Sequence, residues 1–190
     1  DLTPQFGKDA LAVFLNLVAS FGQQLRWHSA VANDRRGPLE RIVAHPDVLI
    51  GFSDAGAHLR NMAFYNYPLR LLKLVRDAGL RGEPFMTVES AVHRLTGEIS
   101  DWFGLSKIGH LARGRQADIA VVRPEALDDR VDETHEELMP GFDGLRRLVR
   151  RNKDTVSHVL INGQLAAQDG SPLIGLGTQT GLGQVLRVTE

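Results

Sequence analysis

The chain has 190 residues, 43% hydrophobic and 24% charged, and its 22 basic against 23 acidic side chains leave a formal net charge of −1. These values suit a globular protein of one domain or two small ones, and they leave no global basic field to hold nucleic acid. The chain contains no cysteine, which excludes disulfides, cysteine–zinc sites and thiol nucleophiles. No stretch approaches the ~18 consecutive apolar residues of a membrane-spanning helix. We therefore expect no nucleic-acid or membrane partner, and a cytoplasmic location. The start, Asp1-Leu2-Thr3-Pro4, has neither an initiator Met nor a signal-peptide pattern, and reads as the boundary of a fragment.

Lys8 to Ser20 reads as a helix, because Leu11, Phe14, Leu15 and Val18 fall at i, i+3, i+4 and i+7 and form one apolar stripe. Gly22 suits its C-terminal end. Gln24 to Val31 alternates weakly and is expected as a strand. Asn33 to Pro38 is a turn with strong breakers, and Leu39 to Ala44 a short helix with Leu39, Ile42 and Val43 on one side. After His45-Pro46-Asp47, the apolar run Val48-Leu49-Ile50-Gly51-Phe52 reads as a buried strand. Pro68 to Ala78 is a second clear helix, ended by Gly79. Thr87 is the N-cap of a third, which runs to about Thr96, with Ser90 where a capping box carries Glu or Gln. Glu98 to Phe103 adds a helical turn closed by Gly104.

The texture then changes. Ala117 to Val122 is a β run ended by Pro124. Thr155 to Ala167 is a strand, an Asn162-Gly163 turn and a second strand, the strongest short-range hairpin signal. Residues up to about 110 thus alternate β and α, and 111–190 are mostly β, with an irregular insertion at about 124–154 rich in Asp, Glu and Arg.

Ser53-Asp54-Ala55-Gly56-Ala57-His58 is the most informative stretch. A carboxylate at the carboxyl end of a buried strand stands where α/β folds place their chemistry. Ser53 and Asp54 could simply cap the next segment of chain. That reading leaves the small residues Ala55 to Ala57 and His58 unexplained, whereas a ligand needs open space there. Asp54 is therefore the candidate catalytic carboxylate or metal ligand, and His58 either orients it or packs near the loop. His28, beside Trp27, is as much structural as functional. His45 is turn chemistry, and His93, His110, His135 and His158 read as structural. Gly175 to Gly183 has the spacing Gly-x-Gly-x-x-x-Gly but neither Lys nor a βαβ context, and reads as a loop. Arg146 to Arg151 is a basic cluster set against the acidic stretch Asp128 to Glu137.

The stretch His45 to His58 resembles the last barrel strand of metal-dependent amidohydrolases, closest to the N-acyl-D-amino-acid deacylase branch. Three further segments agree in order: Thr87 to Val92 with Leu95-Thr96, Gly104 to Val122, and Val156 to Gly163. The resemblance implies an α/β fold, the C-terminal part of a (β/α)8 barrel over 1–110, followed by a small β-sandwich-type domain over 111–190. It implies zinc-assisted hydrolysis of the amide bond of an N-acyl-D-amino acid. Asp54 then contacts the metal or its water and moves the water's proton, while Ser53 and His58 line the substrate side.

The chain departs from the family in having no His-x-His, so the other zinc ligands are expected outside it. A full barrel needs ~250 residues and only about 110 are present here. The expectation is an isolated fragment that binds zinc weakly, turns over little, and associates as a homo-oligomer through edges its missing part would cover. The alternatives are a non-catalytic amidohydrolase-like interaction module, a related cyclic-amidase and, weakest, a small-molecule or nucleotide binder using the glycine-rich tail.

Overall fold

A computed structural model of the chain describes residues 9–27, 32–51, 53, 64–139, 141–149 and 153–188. The chain divides into two compact units, 1–39 and 40–190, and each is taken by itself.

The first unit is built on helix α1, Ala10–Phe21. Asp9 caps it by accepting the Ala12 N–H at 2.9 Å, and Gly22 ends it at φ 50°. The expected apolar stripe, Leu11, Phe14, Leu15 and Val18, stands exposed, and the buried residue of the helix is Val13, which lies outside that stripe. Trp27 meets Phe14 edge-on, with ring centroids 5.6 Å apart. The expected strand over 24–31 is absent from its described part: Gly22–Gln24 is a 3₁₀ turn and 25–27 have no regular structure. Helix α2, Arg36–Ala44, runs across the boundary between the units. It starts earlier than the pattern predicts because Pro38 falls within its first turn, where no helical N–H is needed.

In the second unit, helices come first and strands after. Helix α3, Tyr67–Leu80, passes through Gly79, which was expected to end it. Helix α4, Val88–Leu95, is capped by Thr87, whose hydroxyl accepts the Ser90 N–H at 3.1 Å. Helix α5 is Gly97–Trp102. Leu71 and Val75 of α3 and Ala91 of α4 form the core, with Val43, Ile50, Leu72, Phe85, Met86 and Leu95 packed around them. The i, i+4 spacing of Leu71–Val75 and Ala91–Leu95 lays one side-chain row of each helix into the same seam.

The strands are β1 Ile119–Val122, β2 His135–Leu138, β3 Arg146–Val149, β4 Val156–Ile161, β5 Gln164–Gln168 and β6 Ser171–Pro172. They make a four-stranded sheet ordered β1-β4-β5-β6 and a separate β2-β3 pair, every pairing antiparallel. Asn162 and Gly163, at φ 51° and 77°, make the two-residue turn between β4 and β5, the left-handed pair that a type I′ hairpin requires. The turn is tied to β1's approach: Asn162 donates its N–H to Asp118 Oδ1 and Gly163 to the Ala117 carbonyl, both at 2.8 Å.

The C-terminal part of a (β/α)8 barrel is thus corrected. The described residues contain no parallel pair and no βαβ unit, and residues 48–51 carry no strand. A five-residue apolar run has no period long enough to separate a strand from a buried loop. Here Ile50 buries itself against α3 and α4 instead of pairing in a sheet. The stretch 124–154 holds two 3₁₀ turns and the β2-β3 hairpin.

The helical and β parts of this unit are joined by α3. Asn66 donates to the Val131 carbonyl at 2.7 Å and Arg76 to that of Leu127 at 2.9 Å, while Arg70 pairs with Asp132 at 2.9 Å. Lys73 bridges Asp77 and Asp129 at 2.7 and 3.0 Å. Burial pushes the Lys73 ammonium down, but the hydrogen bonds to Asp77 and Asp129 outweigh it, and the net shift is upward from 10.5. A raised folded-state value means that the bridge stabilises fully below the unfolded value and is lost as pH rises through the folded one. The thermal-midpoint difference between the native chain and Lys73→Met should therefore hold steady from about pH 7 to about pH 10 and shrink above that. A difference unchanged at about pH 11.5 would contradict this account of the bridge.

Candidate functional site

Ser53, the first residue of the candidate motif, is half-buried and is the one residue of the motif that is described; Asp54 and His58 lie outside the described residues, as does His28. The approach to the motif is well defined. Helix α2 ends at Ala44 and the His45 N–H reaches back to the Ile42 carbonyl at 3.1 Å. His45-Pro46-Asp47-Val48 forms a tight turn in which the Val48 N–H donates to the His45 carbonyl at 3.2 Å. Pro46 supplies the φ that the second position of such a turn needs. His45 Nδ1 accepts the Asp47 N–H at 3.2 Å, which agrees with the expectation of turn chemistry. Ile50 then packs into the helical core.

The residue that sequence reasoning missed is Arg94. It is 7% exposed, on the core side of α4. Its Nη2 donates to the His45 carbonyl at 3.0 Å and also to the Val48 carbonyl, and its Nη1 reaches Glu98 Oε1 at 3.2 Å. One signal was available. Arg94 stands three residues after Ala91 and one before Leu95, inside the apolar face, with Glu98 one turn on. A long cation in that position must find partners within the protein.

The other histidines have local partners. His110 Nε2 stands 3.0 Å from both Asp101 carboxylate oxygens, and its ring covers Gly97, where an added Cβ would meet it at 2.6 Å. His93 is exposed, its ring tilted against His110 at 6.4 Å. His158 Nδ1 is 3.0 Å from Ser157 Oγ. Among the described residues no group of three or more His, Asp or Glu side chains converges in a way that could hold a metal ion. The described residues therefore do not fit a zinc centre of their own.

Two shallow hollows are present among the described residues. One, of about 630 Å³, is lined by Ala44, Phe85, His93, Arg94 and Glu98 among others. The other, of about 360 Å³, is lined by Lys107, Arg115, Asn162 and the glycine-rich segment at Gly181 and Gly183. No described helix is long and apolar enough to cross a membrane.

No family model matches the chain, and no solved structure matches it. It is similar to proteins of Mycobacterium bovis and of two strains of Mycobacterium tuberculosis, each named only as an uncharacterized protein. Each is 48% identical over 165 residues, which is 86% of this chain and 27% of the relative. The chain thus spans about a quarter of the length of the curated relatives it matches.

Proposed function

We propose that this chain contributes to a metal-dependent hydrolase of the amide bond in N-acyl-D-amino acids, supplying Asp54 as the reacting carboxylate and Ser53 and His58 to the substrate side. The observation that carries the reading is the motif Ser53 to His58 in sequence, directly after an approach anchored at both Arg94 and Ile50. The other zinc donors belong to sequence beyond this chain. The 27% coverage of each relative leaves ample room for them. The location read for such an enzyme is cytoplasmic.

The test compares the pure 190-residue chain with a longer polypeptide containing it, both supplied with zinc and an N-acetyl-D-amino acid. The short chain should release no measurable amino acid. The longer one should turn over and lose at least ~10²-fold in rate with Asp54→Asn, the scale of a lost general base. Zinc-dependent turnover by the short chain alone would refute ligands supplied from elsewhere. A longer polypeptide without turnover would leave the interaction module as the better reading.

Self-association belongs to the same proposal. The sheet edge at β1 and the short strand β6 at the other edge of the four-stranded sheet are where pairing between copies would occur. Sedimentation at high concentration should give a homo-oligomer, and a strict monomer would remove that part of the reading.

A further inference from the structure

Arg94 is the buried cation of the helical core, and its hydrogen bonds go where a stability role does not require them. A buried ion pair rarely stabilises more than the apolar side chains that could replace it, and its best-attested use is to fix one arrangement of the chain. The Arg94–Glu98 pair fits that description. Arg94 Nε and Glu98 Oε2 are both buried without a hydrogen-bond partner among the described residues, so the pair carries an uncompensated desolvation cost. What Arg94 does satisfy is backbone: the carbonyls of His45 and Val48, 49 and 46 residues away in sequence.

These two carbonyls are the first and last of the His45–Val48 turn, and the first already accepts the Val48 N–H. One nitrogen, Nη2, donates to both, while Nη1 turns to Glu98. The rigid planar fork fixes the turn and Glu98 in one geometry, which a single ammonium centre on a flexible stem does not impose. Five residues after Val48 comes Ser53, with Ile50 the apolar fixing point between.

We propose that Arg94, held by Glu98, is a positioning residue that fixes the His45–Val48 turn and thereby sets where the chain delivers Ser53, the first residue of the candidate motif. Its consequence for catalysis rests on the hydrolase reading above, whereas the anchoring itself does not.

The test uses two variants of the full chain, Arg94→Lys and the double Arg94→Met with Glu98→Leu. The double variant removes the buried charges together, so it stays folded where a single loss would strand Glu98. Amide exchange is followed at Val48. Because the chain has no cysteine, a Ser53→Cys substitution adds a single thiol whose labelling rate reports on the end of the segment. In both variants Val48 exchange and thiol labelling should rise about ten-fold or more, while the amides of Leu71 and Val75 hold their rates. Either rate unchanged would overturn the anchor. So would an acceleration shared equally by α3, which would make Arg94 a general stabiliser. Neither readout involves hydrolysis, so a failed hydrolase assay leaves them standing, and a failed anchor leaves that assay standing.

Discussion

Leu71→Ala should lower the unfolding free energy by about 2–5 kcal/mol, the cost of emptying a packed site that relaxes only in part. Leu71 is 5% exposed and meets Val75 and Ala91 in the one buried apolar cluster described for the helical part. Ala91 beside it is fully buried and too small to fill the gap, so closing it would require the partly buried neighbours to repack. The same cluster receives Ile50, so the loss should also loosen the approach to Ser53. Leu80 on the same helix is the control. It is 73% exposed, and its replacement by Ala should stay within ~0.5 kcal/mol. Urea unfolding followed by circular dichroism measures both. A Leu71→Ala cost under about 1 kcal/mol would show that this cluster is not the core.

Gly109→Ala should be comparably severe for a different reason. Gly109 sits at φ 80°, and a Cβ there would collide with Ser100 Oγ and stand 2.6 Å from Ser100 Cβ. Ser100 cannot yield easily. It is 2% exposed, and its hydroxyl donates to the Gly97 carbonyl at 2.9 Å. The left-handed backbone alone costs ~1–3 kcal/mol for a side chain. Displacing Ser100 leaves buried polar groups unpaired for roughly 1–3 kcal/mol more. Gly82→Ala separates the two contributions: φ is 76° but nothing lies within 4 Å of the added Cβ, so only the backbone cost should appear. Equal losses for the two variants would remove the collision from the account.

Much of the local structure was legible. The stripe Leu11, Phe14, Leu15, Val18 identified α1, and Thr87 identified the start of α4, because caps and 3.6-residue periods are written in neighbouring residues. Asn162-Gly163 identified the β4–β5 hairpin for the same reason. Gly79 misplaced the end of α3 by one residue: the helix stops at Leu80, within the usual spread of helix boundaries. The run Val48 to Phe52 misled more seriously. The strand assigned to it supported a barrel, and the described sheets are antiparallel throughout.

The candidate site divides along the same line. Ser53 to His58 was found from residue types and spacing alone, and the proposal of an amide hydrolase rests on them. Arg94 was not found, because nothing within a few residues of it names His45 and Val48 as its partners.

The sequence by itself determined the existence of these helices, the Thr87 cap, the β4–β5 hairpin, the absence of thiol chemistry and the identity of the candidate motif. Each of these depends on atoms within about a turn of one another. Only the tertiary structure decided that Ile50 lies against helices and not in a sheet, and that a buried guanidinium on α4 holds the approach to Ser53. The Arg94 contacts join segments 49 and 46 residues apart in the chain. There the burial of apolar area and the pairing of buried polar groups outweigh any local preference.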